Sequence, residues 1–407
     1  MSYEIRTLTL DELPASELIA AQAFGSRTRH DNAERAELSQ THFLPEWSLG
    51  VFDAGEMTSM MRILPEHMWI NGGALSIGVV SPVANSPLHR RKGHSGAMMR
   101  RSLEVMRERG QVLSGLYTPH PAFYRRYGWE IASEWRAYKF APKDLRLQIQ
   151  PSQRGSFRFV PAKDWQTLRT VYDRYAPSAN GSFQREEYWW KTFVADSPWH
   201  PDTDVVVWQN ETGVDEGYAV YQQPTRPGPS YENRQAVEVR ELIATSRDAY
   251  LNLWAYFGRH DIHESVTIVA APHEPVFAMV ADSERLEVKQ GYAVLLRVVD
   301  FEAAMQARSP ACPDEKAGFT LRLLDESAPW NDGAWRVDVA DGKTLVQRTA
   351  SEPEMVLTAP TLAPIFNGYL SPRAAASGGL IEASDDALAR AERVFAVKSP
   401  PYFVDHF

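Results

Sequence analysis

The sequence holds a single cysteine among 407 residues, Cys312. That excludes a disulfide framework within the chain and any thiolate metal site of the usual kind. Cys312 sits in the proline-flanked run Ser309-Pro310-Ala311-Cys312-Pro313, a poor setting for a catalytic thiol. No apolar run approaches the ~18 residues that a membrane helix needs, and the first ten residues show neither a basic start nor a leader's apolar stretch. The expectation is a cytoplasmic protein without a membrane partner. Positive charge is in deficit, with 43 Lys and Arg against 52 Asp and Glu and a net charge of −9, which disfavours nucleic acid and anionic membranes as partners. Metal and nucleophile motifs are missing as well. His260-x-x-His263 lacks the His-Glu-x-x-His arrangement of a zinc site, and there is no Gly-x-Ser-x-Gly elbow and no Walker-type loop, so no metal is expected.

What is present is enough apolar residue, 44%, to pack cores, in a chain that suits two or three domains rather than one. The most telling stretch is 75–129. An apolar strand runs to Pro82, a residue tolerated inside a sheet mainly at a bulge or where pairing is broken. A break there exposes the backbone of Val83, Ala84 and Asn85 to something other than a neighbouring strand. The basic turn His89-Arg90-Arg91-Lys92-Gly93-His94 follows, and from Ser95 the pattern becomes helical, with Met99, Leu103 and Met106 at offsets of four and seven and Gly110 as the stop. Free amides at a helix N-terminus, with the positive end of its dipole, attract phosphate oxygens. Gly93 and Gly96 keep side chains out of the way of a closely approaching ligand. Taken alone, this turn also fits a solvated basic loop. A second strand over 111–117 and the run Ala122-Phe123-Tyr124-Arg125-Arg126-Tyr127-Gly128-Trp129 complete an order that can hold a pantetheine and its pyrophosphate.

Around this stretch the chain predicts a strand at 4–8, a helix from Asp11 that Gly25 ends, and a meander of strands at 48–52, 57–64, 67–70 and from Ala74. One helix, an antiparallel meander and a strand-helix-strand crossover make a mixed α/β arrangement. Polar residues with Pro142, Pro151 and Gly155 mark a linker, beyond which the grammar partly repeats: a helix at 163–175, strands at 205–209, 217–222 and 237–244, and a helix at 247–257. There the turn reads Ala244-Thr245-Ser246-Arg247-Asp248, without glycine and with an acidic side chain that repels a phosphate. Strands at 319–323, 334–339 and 344–348, then helices at 361–369 and 385–395, form a third segment.

The segment 75–129 resembles the central motif of the GCN5-related N-acetyltransferases. More closely, His-Arg-Arg-Lys-Gly followed after about thirty residues by Phe-Tyr-Arg-Arg-Tyr-Gly-Trp is similar to the enhanced intracellular survival family of bacterial acetyltransferases. The resemblance covers the whole chain. It implies tandem acetyltransferase folds, the second degenerate, plus a sterol-carrier-like α+β domain, expected at 1–145, 146–294 and 295–407. It implies an acetyl-CoA-dependent transfer to a primary amine: a polyamine, an aminoglycoside, a lysine or a peptide N-terminus. Acetyl-CoA would be held by Val83, Ala84 and Asn85, by Arg91, Lys92, Gly93, His94, Ser95 and Gly96, and by Pro119 and His120. Tyr124 would be the general acid, although Tyr127, on the same helical face, is also a core-aromatic candidate for the motif's tyrosine. The terminal carboxylate of Phe407 would be the base; a docked tail without chemical role is the alternative. A homo-oligomer, expected to be a hexamer, is implied as well. The substrate pocket would include Phe24, Ser26 and His406. Family members commonly carry acidic residues at the last two of these places, so a polycationic aminoglycoside is the less fitting acceptor, with Asp405 as the nearest acidic substitute. A different class of reading is a non-catalytic protein that carries an apolar ligand in its C-terminal domain.

Overall fold

The computed structural model describes residues 3–25, 43–152, 154–194, 202–224 and 235–407. They form two compact units, one of Met1–Ala132, Val294–Lys398 and Phe407, the other of Ser133–Ala293 and Ser399–His406.

The chain begins with strand β1 (Tyr3–Thr7) and helix α1 (Leu13–Phe24), which stops at Gly25 with a φ of +82°. Next come β2 (Ser48–Asp53), β3 (Glu56–Ile70), β4 (Gly73–Asn85), α2 (His94–Glu108), β5 (Leu113–Leu116), the short helix α3 (Pro121–Arg125) and β6 (Glu130–Ile131). The middle of the chain supplies β7 (Glu134–Phe140), β8 (Ser156–Phe159), α4 (Trp165–Tyr175), β9 (Thr203–Gln209), β10 (Asp215–Gln222), β11 (Ala236–Ala244), α5 (Arg247–Phe257), β12 (Ser265–Ala270) and β13 (Glu287–Tyr292). The last part holds β14 (Leu295–Val298), α6 (Phe301–Ala307), β15 (Ala317–Leu324), β16 (Gly333–Ala340), β17 (Lys343–Arg348), β18 (Met355–Thr358), α7 (Ala359–Phe366), β19 (Glu382–Ala383) and α8 (Asp385–Val394).

The first unit holds a seven-stranded sheet in the order β1-β2-β3-β4-β5-β14-β6 and a five-stranded sheet in the order β17-β16-β15-β18-β19; the second unit holds a seven-stranded sheet, β13-β7-β12-β11-β10-β9-β8. Two strands therefore join a sheet other than that of the span in which they were expected. β7, inside the expected 1–145, belongs to the second sheet, and β14, expected to open the third domain, pairs with β5 and β6 in the first. Alternating apolar residues identify a strand and its buried face but not the sheet that it joins. Another difference is β3, one fifteen-residue strand that runs through Pro65 instead of two. β2 pairs with β3 only as far as Arg62, so Pro65 lies beyond that ladder, where a missing N–H is tolerated.

The site is positioned by what happens to β4. It pairs in parallel with β5 only through Ile77, Gly78 and Val79, and its antiparallel register with β3 shifts between Met61 and Ile63, where Ser81 and Pro82 together stand opposite Arg62. This is the bulge that Pro82 led one to expect, and it turns the strand's last residues away from β5. On one face of this sheet, Met98, Met99, Leu103 and Met106 of α2 are fully buried against Val51, Ile63, Leu116 and Trp129. The helical spacing in the sequence thus corresponds to one packed stripe.

In the C-terminal part, Arg308 is 2% exposed and donates from Nε to the Phe366 carbonyl (2.9 Å), from Nη1 to that of Val394 (3.0 Å), and from Nη2 to those of Phe395 (2.8 Å) and Ala396 (2.9 Å). One guanidinium thereby caps the C-terminal ends of both α7 and α8, where orphan carbonyls and the negative ends of two dipoles meet. Burial pulls its pKa down to about 10, which leaves it charged at neutral pH. Arg308→Met would strand three buried acceptors, and a loss of about 3–5 kcal/mol is expected in urea unfolding followed by circular dichroism.

Candidate active site

Because β4 leaves β5 after Val79, a cleft opens between residues 80–85 of β4 and residues 116–120 after β5. Two adjoining cavities occupy it, one of about 780 Å³ and one of about 400 Å³, with Asn85, Arg90, Ser95 and Phe123 in the walls of both.

The smaller cavity is built by the turn before α2. Arg91 and Gly93 take left-handed φ values of +66° and +85°, and Gly93 is the N-cap from which the helix starts. A side chain is tolerated poorly there, and the coil they make brings Arg91, Lys92, Gly93, His94, Ser95 and Gly96 around one concavity at the helix N-terminus. Arg90, Arg100 and Arg126 join them. The sequence reading passes over Arg100, although a signal exists: it follows Gly96 by four residues and so shares its face of α2. Of the basic pairs 100–101 and 125–126, only one member of each faces the cavity. Arg101 instead pairs with Glu104 (2.6 Å) and Glu108 (3.2 Å), and Arg125 with Glu130 (2.7 Å).

His94 turns its ring inward. It is 4% exposed, its Nδ1 lies 2.9 Å from the Thr58 hydroxyl, and its ring meets Tyr3 edge-on at 5.1 Å. Burial lowers its pKa, so the imidazole is neutral at neutral pH, and the residue leaves its backbone N–H at the open end of the helix. Asn85 bridges the two walls: its Oδ1 accepts from Ser59 Oγ (2.6 Å) and its Nδ2 donates to Ser95 Oγ (2.5 Å). Ala84, between them, packs its side chain against Ile19 and Met60, which leaves only its backbone for a ligand.

The larger cavity is lined by Phe24, Val83, Tyr117, Pro119, His120, Tyr124 and Phe407, among others. The two candidate tyrosines separate here. Tyr124 on α3 faces this cavity, whereas Tyr127 is 7% exposed, faces the smaller one, and sets its hydroxyl against Gly96. Burial raises the pKa of Tyr124, partly offset by a hydrogen bond with Thr118, so the phenol keeps its proton beyond the usual range. The Phe407 ring lies 4.8 Å from that of Tyr117. Phe24 is 68% exposed at the cavity wall.

Of the two other residues expected in the substrate pocket, one is placed and stands elsewhere. Ser26 lies outside the described residues. His406 belongs to the second unit and lines a small cavity there with Arg185, Arg240 and Glu241. Asp405 is 1% exposed and committed to that unit: its Oδ1 accepts from Arg185 Nε (2.6 Å), its Oδ2 from the Tyr172 hydroxyl and the Phe183 amide (both 3.1 Å). A carboxylate so engaged is a poor substitute for a substrate-binding acid.

The second unit repeats the parallel pair, Ala236 to Val239 of β11 against Ser265 to Ile268 of β12, but not the anion site. Ser246 caps α5 by accepting from the Ala249 amide (3.1 Å) and donates to the Glu216 carboxylate (2.6 Å). The helix end that stands open on a cavity in one copy is closed by its own side chains in the other.

Residues 4–132 match a family model described as an acetyltransferase (GNAT) domain, residues 181–298 a second model of the same description, and residues 301–404 one described as a sterol carrier protein domain. An uncharacterized N-acetyltransferase of Streptomyces avermitilis is 26% identical, with all of both chains covered. The N-acetyltransferase Eis of Mycobacterium tuberculosis is 23% identical over 98% of each chain. In fold, the crystal structure of a GCN5-related N-acetyltransferase from Anabaena variabilis superposes over the whole of both chains with a TM-score of 0.87 at 19% identity.

A Cβ at Gly96 would collide with the Tyr127 hydroxyl at the mouth of the smaller cavity. Gly96→Ala is therefore expected to weaken coenzyme A binding roughly tenfold in calorimetry, about 1.4 kcal/mol, with little change in melting temperature.

Proposed function

Since the chain belongs to the GCN5-related N-acetyltransferases, of the Eis-like kind, we propose that it moves the acetyl group of acetyl-CoA directly to a primary amine, with Tyr124 as general acid and the α-carboxylate of Phe407 as base. The observation that carries this reading is that Tyr124 and Phe407 line one cavity, joined to a second that gathers a helix N-terminus and Arg90, Arg91, Lys92, Arg100 and Arg126. A phosphate-rich ligand end suits the basic cavity; its pantetheine arm then runs along Val83 to Asn85, where β4 has backbone groups unclaimed by β5.

The amine nitrogen attacks the thioester carbonyl carbon, the tetrahedral adduct collapses, and the carbon–sulfur bond breaks. Tyr124 gives its proton to the departing thiolate. It can do so because burial keeps it protonated, so its loss from the rate should appear only as pH climbs past its raised pKa. An ordinary α-carboxylate, with a pKa of about 3.5, is a weak base towards a free ammonium ion. Its first task is to hold that ammonium against the aromatic wall until one proton has passed to water, since only the free amine has the lone pair that attacks. Its second is to take the proton from the nitrogen of the adduct, which is far more acidic than the starting amine.

The cavity wall narrows the acceptor. Among the described lining residues there is no Asp or Glu, while Phe24, Tyr117 and Phe123 offer apolar surface. A slender chain with a terminal ammonium, such as a lysine side chain or a small polyamine, suits such a wall better than a bulky polycation.

The test is thiol release from acetyl-CoA with a panel of amines. Tyr124→Phe is expected to lower kcat roughly a hundredfold with the KM for acetyl-CoA unchanged. Two residues added after Phe407 should abolish turnover and spare acetyl-CoA binding. Full activity in either variant discards the corresponding assignment, and a chain that binds no acetyl-CoA but copurifies with lipid favours a carrier role.

A further inference from the structure

Arg297 lies in β14, in the run Leu295-Leu296-Arg297-Val298, and is fully buried. Its Nη2 donates to both oxygens of Asp325, at 2.7 and 2.5 Å, while Nε and Nη1 have no hydrogen-bond partner. Asp325, just past the end of β15, is itself fixed: Oδ1 accepts from the Ala328 amide (3.1 Å) and Oδ2 from Asn331 Nδ2 (3.0 Å). On its other side the guanidinium lies against Gly128. A Cβ there would stand 2.6 Å from Cζ and 2.7 Å from Nε and from Nη1, and Gly128 has a φ of +92°.

Gly128 closes the turn that carries the proposed acid. Its amide donates to the Arg125 carbonyl (3.0 Å), and the Tyr124 carbonyl accepts from the amides of Tyr127 (2.9 Å) and Trp129 (3.3 Å). The backbone of Tyr124 is thus tied to the residues on both sides of the glycine that rests on Arg297.

Stability alone does not explain this arrangement. A buried guanidinium with two idle nitrogens is costly, and well-packed apolar residues commonly replace a buried ion pair without loss. What an apolar residue cannot supply is a flat, charged plate, held in plane by a fixed carboxylate, onto which a backbone can be pressed. We propose that Arg297 is a positioning residue for catalysis: pinned by Asp325 of the sterol-carrier-like domain, it sets the height of the Gly128 turn and thereby the direction of the Tyr124 hydroxyl. The C-terminal domain then contributes to the acetyltransferase site without touching the substrate.

This inference rests on Tyr124 being the acid, so its test is a cycle in the full chain between Arg297→Lys and Tyr124→Phe. Lysine keeps the charge and the reach to Asp325 but not the plate. Arg297→Lys is expected to lower kcat roughly ten- to a hundredfold with the KM for acetyl-CoA within about twofold. In the Tyr124→Phe background the same change should cost less than about twofold, because there is no longer a hydroxyl to aim. An unaltered kcat in Arg297→Lys, or an equal loss in both backgrounds, overturns the proposal. Full activity of Tyr124→Phe alone overturns the acid assignment instead. Should Arg297→Lys not fold, Asp325→Asn carries the same cycle, with the same two outcomes.

Discussion

The divergence of β4 from β5 is the constraint on which the rest of the first unit depends. Parallel strands that stayed paired to their ends would bury every ladder group and leave no room for a ligand. Here the pairing is confined to Ile77, Gly78 and Val79, and its apex is pressed from one side: a Cβ at Gly78 would stand 2.5 Å from Met106 Sδ and 2.9 Å from Gln111 Oε1 and Ile63 Cγ2. The Met106 side chain of α2 therefore packs into space that Gly78 leaves free, just before the strands part. On the far side β14 pairs with β5 from Leu113 to Leu116, which holds β5 straight while β4 bends at its bulge. Each strand keeps its outer partner, β3 for β4 and β14 for β5, so the cleft opens only along the edge that the two share.

The two acetyltransferase-like copies show that such a scaffold is not in itself a site. Both have a parallel strand pair and a helix that starts just beyond it. In the first, Gly93 caps the helix without a side chain and the neighbouring cations leave the amide end to an anion. In the second, Ser246 and Glu216 satisfy that end internally, and the buried charges are spent on each other: Arg185 meets Glu241 at 2.5 Å and Asp405 at 2.6 Å. A helix N-terminus has orphan donors in either case. Whether a ligand or the chain's own oxygens take them decides between a binding domain and a support.

Much of this was legible in the sequence because it is local. The spacing of Met99, Leu103 and Met106 is a property of one helix, Pro82 marks its own bulge, and the glycine turn announces itself within six residues. What escaped was non-local. Nothing in the alternation of β7 or β14 says that each joins the sheet of the other half, nor does the sequence tell that Asp405 is buried under Arg185, 220 residues earlier. The cavity-facing members of the arginine pairs needed the helix phase of α2 and the partners of Arg101 and Arg125. Arg297 carries no local signal either, since its carboxylate lies 28 residues on, in another domain.

That last pair bears on why a sterol-carrier-like domain accompanies this acetyltransferase fold at all. Within the first unit it grips the first sheet at several points, two of which bear on the cleft. At one end of the β3–β4 hairpin, Asn71, with a φ of +54°, donates from Nδ2 to the carbonyls of Ser309 (2.9 Å) and Ala396 (3.1 Å) and accepts from the Lys398 amide (2.9 Å). The other grip is Asp325 on Arg297, behind the turn that bears Tyr124. One anchors the start of the strand that forms the proposed cofactor wall; the other backs the proposed acid. Arg308, capping α7 and α8 together, ties the carbonyls of Phe366, Val394 and Phe395 to one cation, so the first anchor cannot shift without disturbing both helices. A domain attached for solubility alone would need neither grip. Fixing two walls of one cleft from behind is a task that calls for a rigid body with two separate contacts, and that is what the C-terminal domain provides.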